Sequence, residues 1–116
     1  MHLPGADRAV VDIVKLRHYC LSPTHPRGRH KARVFAATVG LTAADAGLLR
    51  QALLDTARTG EAIAGTADEY GRRYAVDFNL VRAGRRARVR SAWIILTGEL
   101  TGEDFSRFTS CYVSLD

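Results

Sequence analysis

Seven consecutive residues, His25-Pro26-Arg27-Gly28-Arg29-His30-Lys31, hold two imidazoles and three fixed cations. If a helix begins here, its free backbone N–H groups and the Arg and Lys side chains together suit a phosphate. A histidine titrating near neutrality adds a proton that can be taken or given. Pro23 and Pro26 stiffen the loop and so hold its polar groups in place. The alternative reading is a solvated basic loop whose histidine caps the helix. His25 is the stronger of the two imidazoles, because His30 falls where the helix is starting; His18 is read as structural.

A second basic group comprises Arg82, Arg85, Arg86, Arg88 and Arg90. Strand alternation puts Arg86, Arg88 and Arg90 on one face, where guanidinium groups can grip phosphates bidentately and release counterions. The alternative is a charged edge that discourages aggregation. Tyr74, Phe78 and Trp93 lie beside these charges but fit an apolar sheet face, so they are assigned to the core rather than to base stacking.

Other site classes lack their residues. There is no phosphate-binding glycine loop, no dinucleotide fingerprint, no metalloprotease helix motif and no paired Cys/His spacing, so neither a metal nor a cofactor is expected. Asp68 and Glu69 are adjacent, which sends them to opposite faces of a strand, and no nucleophile elbow organises the Ser, His and Asp residues. Cys20 and Cys111 are read as reduced, buried thiols in a cytoplasmic setting, with a disulfide between them left open.

The elements that must position these groups divide by period. Val10, Ile13, Val14, Leu16 and Leu21 recur at helical spacing from about Asp7 to Leu21, and Ser22-Pro23 ends that helix. Ala32, Phe35, Ala36 and Val39 predict a second helix over Arg29 to Val39, stopped by Gly40. Thr42-Ala43-Ala44-Asp45 resembles a capping box, and Leu48, Leu49, Ala52, Leu53 and Thr56 give the apolar face of a third helix, fraying near Arg58-Thr59-Gly60. Beyond Gly60 the period becomes two. Tyr74, Val76, Phe78 and Leu80 form a half-buried strand, residues 81–85 a hairpin loop, Val89 to Leu96 a central strand and Thr97 to Asp104 a turn. Phe105 to Leu115 is the last strand, with Arg107, Thr109, Cys111 and Val113 on one side and Phe108, Ser110 and Tyr112 on the other; Tyr112 is expected in the core. Glu61 to Glu69 is a weak additional edge strand. The expected fold is α+β, with three N-terminal helices packed on one face of an antiparallel sheet of three or four strands.

With 116 residues, residues 1–116 make one domain, and 47% hydrophobic with 25% charged residues excludes intrinsic disorder. The net charge of +5 favours a polyanionic partner. No secretory signal is visible, and no apolar run approaches the roughly 20 residues that cross a bilayer, so no membrane association is expected.

Leu3-Pro4, Lys15-Leu16 with Tyr19 and Leu21, His25-Pro26, Gly28, Lys31-Ala32, Phe35, Tyr70-Gly71 with Tyr74, Trp93, and finally Arg107, Thr109 and Tyr112 span nearly the whole chain. Together they resemble an uncharacterised bacterial domain similar to C-terminal modules of filamentous-haemagglutinin-like polymorphic toxins, which also occurs as a short stand-alone protein. Its order of elements is similar to that of barnase-type nucleases. The resemblance implies a metal-independent RNA-cleaving, toxin-like domain in which His25 is the general base or acid, with His30 as the alternative. Lys31 and Arg107 would hold the phosphate, and Thr109 or Tyr112 would donate a hydrogen bond. RNA and a neutralising protein are the partners it implies, with Arg27, Arg29, Arg86, Arg88 and Arg90 as further nucleic-acid contacts. The alternative is a non-catalytic module of a toxin-antitoxin-type system that binds nucleic acid or an acidic protein through the arginines at positions 82 to 90, which lie outside the motif of resemblance.

Overall fold

The computed structural model describes residues 1–96 and 105–114. The predicted turn over residues 97–104 lies outside the described residues, as does Leu115, the last position of the predicted last strand. Three helices, α1 (Ile13–Lys15), α2 (Arg29–Val39) and α3 (Ala46–Thr59), precede four strands, β1 (Ala62–Asp68), β2 (Gly71–Arg82), β3 (Arg85–Leu96) and β4 (Arg107–Val113). The strands form one antiparallel sheet in the order β1-β2-β3-β4. The molecule is therefore α+β.

The second helix has its predicted limits and buries Ala32, Phe35 and Val39, although Ala36 is exposed. The capping box forms between Thr42 and Asp45, whose Oδ2 accepts from the Thr42 amide at 2.9 Å. It opens a short 3-10 turn (Ala43–Asp45) that leads into α3, which buries Leu49, Leu53 and Thr56 but leaves Leu48 exposed. The weak edge strand is present as β1.

The first helix is far shorter than its spacing predicts. A 3-10 turn covers Ala6–Arg8, and the chain then extends so that the Val10 amide donates to Ser106 O (3.0 Å) and the Phe108 amide to Val10 O (2.9 Å). Backbone committed to a strand neighbour cannot also close helical turns, so the helix starts only at Ile13, where the Asp12 side chain accepts from the Val14 amide at 2.9 Å. A five-residue π-helical turn (Leu16–Cys20) follows, closed by Leu21 N to Leu16 O at 2.9 Å. Val10 and Val14 are consequently exposed and Val11 and Cys20 are buried instead, while Leu16 and Leu21 are buried as the spacing predicts.

The predicted hairpin loop is also tighter than expected. β2 and β3 pair from Gly71↔Leu96 to Arg82↔Arg85, leaving only Ala83 and Gly84 in the turn, both with positive φ (51° and 77°). A two-residue turn of that hand matches the twist of the strands it joins.

Core side chains come from alternate positions. Tyr74, Val76 and Leu80 on β2 lie opposite Trp93, Ser91 and Ala87 on β3, and all are buried. α2 contacts β3 and β4, and α3 contacts β2. Trp93 is fully buried with Phe108 edge-on at 5.7 Å, and its indole N–H donates to Ser91 Oγ (2.9 Å), which in turn donates to Val76 O (2.7 Å). Among the described residues no single helix is long and apolar enough to cross a membrane.

Replacing Ser91 by Ala strands the buried indole N–H. A loss of about 1–3 kcal/mol in unfolding free energy is expected, measured by urea denaturation with unchanged slope.

Candidate functional site

The loop before α2 is wrapped around one imidazole. His25 Nδ1 accepts from the Arg27 and Gly28 amides, both at 3.0 Å, and His25 O accepts from the Arg29 amide at 2.9 Å. Two amides aimed at Nδ1 assign the neutral tautomer with its proton on Nε2. The imidazole therefore does the capping work of the loop through one nitrogen and leaves the other as a donor. Gly28 is needed for this curl: a Cβ there would sit 2.0 Å from the Tyr19 carbonyl oxygen.

Lys31, in the first turn of α2, has Nζ 2.9 Å from Tyr19 Oη and 3.0 Å from Ser110 Oγ, and 4.7 Å from the centre of the Tyr19 ring. The His25 ring meets the Tyr19 ring edge-on at 4.8 Å. An ammonium, a phenol and an imidazole are thus in mutual contact through Tyr19. Lys31 lines a separate hollow with His30 and Tyr112, whereas the phenol and the imidazole border an open groove of about 660 Å³ lined also by Asp12, Lys15, His18, Arg27, Thr109 and Ser110. A smaller hollow of about 290 Å³ adjoins it, sharing Asp12, Lys15 and Thr109 and adding Arg107.

β4 supplies the far wall through an irregularity. Ala92 pairs with Ser110 but Trp93 pairs with Phe108, so Thr109 is an extra residue, and its Oγ1 donates to Ala92 O at 3.0 Å. Strict alternation over this strand is therefore corrected: Phe108, Cys111 and Val113 are buried, whereas Arg107, Thr109 and Ser110 are half-buried at the groove side. Arg107 lies over the Phe105 ring at 4.7 Å. Tyr112, expected in the core, is 41% exposed and lines a separate hollow with His30.

His25 and Lys31 thus each touch Tyr19, and His25, Arg27 and Thr109 line one groove, with Arg107 in the hollow next door. Arg29 instead lines a cavity of about 500 Å³ with Arg33 over Leu21, Ala32 and Leu41. Arg86, Arg88 and Arg90 share a face, as alternation requires, but it is not the groove. Arg90 is clamped by Asp77 through two 2.8 Å bonds, and Arg88 donates to Asn79 at 3.3 Å. Arg82 closes the C-terminus of α2 by donating to Gly40 O at 3.0 Å, and pairs with Asp45 at 3.3 Å.

Sequence reasoning missed Tyr19 and Ser110 as groove groups, and it set His18 aside. The signal for Tyr19 was its place between the first helix and the histidine loop; Ser110 carried none, because only the bulge turns it toward Lys31. Among the described residues no three His, Cys, Asp or Glu side chains come together as a metal would need.

These features define an α+β domain with a cationic groove at the open edge of an antiparallel sheet. The chain belongs to the DUF6883 family, a domain of unknown function whose model matches residues 2–115. No curated protein matches it.

Gly28→Ala forces the Tyr19 carbonyl and the loop apart; a destabilisation of about 1–3 kcal/mol is expected in a denaturant titration. The Arg90 hydrogen bonds hold the Asp77 carboxyl below the usual carboxylate range. A depressed folded value means the pair's stabilisation is present above the unfolded pKa, about 4, and is lost as pH falls through the folded value. The melting temperature of Asp77→Asn should therefore lie below that of the unaltered protein at pH 6, and the gap should close in strong acid.

Proposed function

We propose that the groove binds RNA and cleaves its phosphodiester backbone without a metal, as a toxin-like domain acting in the cytoplasm and restrained by a neutralising protein. The observation that carries this reading is that Tyr19, on a groove whose cations are Lys15 and Arg27, is in contact with His25 on one side and with the Lys31 ammonium on the other. The reading takes the helices to cover the sheet face carrying Tyr74 and Trp93, so that the edge of β4 stays open to a strand of RNA.

In this mechanism Lys31, Arg27 and the Nε2–H of His25 donate to the non-bridging phosphate oxygens, and Arg107 and Thr109 hold the next part of the backbone. Occupation of Nδ1 makes His25 a donor rather than the general base. His18, exposed on the same groove, takes the 2′-hydroxyl proton; the 2′ oxygen bonds to phosphorus and the bond to the 5′ oxygen breaks. The Tyr19 hydroxyl, whose oxygen accepts from Lys31, protonates the leaving oxygen, and the ammonium stabilises the charge left behind. The non-catalytic alternative, binding through Arg86, Arg88 and Arg90, is disfavoured because Asp77 and Asn79 already engage two of the three.

The test is cleavage of a fluorescent single-stranded RNA in excess chelator. His25→Ala and Lys31→Ala should each lower the rate by about 10²–10³, with folding checked by circular dichroism. An unaltered protein that leaves RNA intact, or folded variants that cleave it at the unaltered rate, would remove this function from the groove.

A further inference from the structure

The only two cysteines, 91 positions apart in sequence, meet beneath the groove. Cys20 ends the π-helical turn and Cys111 lies on β4; both are free and fully buried. Both belong to one continuous buried core, the π-helical turn packs directly on β4, and the two thiols lie close enough to perturb each other. Their chain neighbours, Tyr19 and Ser110, are the two hydroxyls that hold Lys31. We infer that Cys20 and Cys111 are a disulfide-forming pair, closed by a small-molecule disulfide such as oxidised glutathione, which ties the π-helical turn to β4 and fixes the anchor of Lys31.

The exchange balances with that one co-reactant. Cys20 thiolate attacks one glutathione sulfur, the glutathione disulfide bond breaks, and the released thiolate takes up the Cys20 proton. Cys111 then loses its proton and attacks Cys20 sulfur, the mixed disulfide breaks, and a second glutathione thiol leaves. The neighbouring Cys111 brings Cys20 down to about 7, while the facing Cys20 sulfur and burial hold Cys111 well above the ordinary thiol range, so Cys20 attacks first. Burial makes local opening of the short helical segment a precondition, so closure is slow. Because the ring closed is long, the oxidised form gains stability chiefly from a restricted unfolded chain.

The full chain is incubated with a glutathione redox buffer, quenched with acid, denatured, and treated with a maleimide mass tag, without any substitution. The expected result is a monomer with no taggable thiol and no bound glutathione, melting on the order of 10 °C above the reduced protein. Two tagged thiols after prolonged oxidation, a protein trapped as a glutathione adduct or intermolecular dimer, or an oxidised monomer melting at or below the reduced one would each overturn the pair's assignment. The readout needs no RNA, so it stands or falls apart from the cleavage reading.

Discussion

Lys31 reaches from the first turn of α2 to hydroxyls on two other elements, Tyr19 in the π-helical turn and Ser110 on β4. A half-buried ammonium is costly unless its donors are matched, and here two oxygens and the face of an aromatic ring match them. Hydrogen bonds from a charged donor contribute about 1.5–3 kcal/mol net, more than a neutral pair. The same cation therefore joins three segments and places positive charge behind Tyr19, a wall of the groove. Structure and candidate chemistry rest on one side chain.

That arrangement depends on how the sheet treats its last edge. An unpaired strand edge is a liability, and this chain covers one end of β4 with the Val10 backbone while the extra residue Thr109 breaks the ladder further along. The extra residue shifts the pleat by one, so Phe108 and Cys111 both pack inward and Ser110 faces Lys31. Without it, a strictly alternating strand that buried Phe108 would also bury Ser110 and turn Cys111 outward. The irregularity joins a continuous core to a polar wall on the same strand.

What the sequence made legible follows the range of the forces involved. α2 was readable because its apolar spacing and Gly40 act within a few turns, and the capping box because its two residues are three apart. β2 and β3 were readable because period two survives wherever one face is buried. The first helix was misread because the Val10 amide donates to Ser106 and its carbonyl accepts from Phe108, nearly a hundred residues on, and no local pattern reports that. The bulge at Thr109 was invisible for the same reason, and with it the roles of Ser110 and Tyr112. Of the groove, the imidazole loop and Lys31 stood out from local composition, whereas Tyr19 became a site residue only through contacts that the fold creates.

The arginines of the hairpin show how net charge misleads when it is read without partners. Arg82 is used at the end of α2, Arg90 is held by Asp77 and Arg88 by Asn79, so much of that basic cluster is spent on the scaffold. At the groove the balance differs: Lys15 and Arg27 stand against the carboxylate of Asp12, one oxygen of which already accepts from the Val14 amide, and the Lys31 ammonium lies over the ring of Tyr19, a groove residue. A concave surface with an excess of one sign focuses its field into the cleft, so positive potential gathers here. The overall charge of +5 is the smaller fact. Where its members are left uncompensated decides which ligand the fold can draw in.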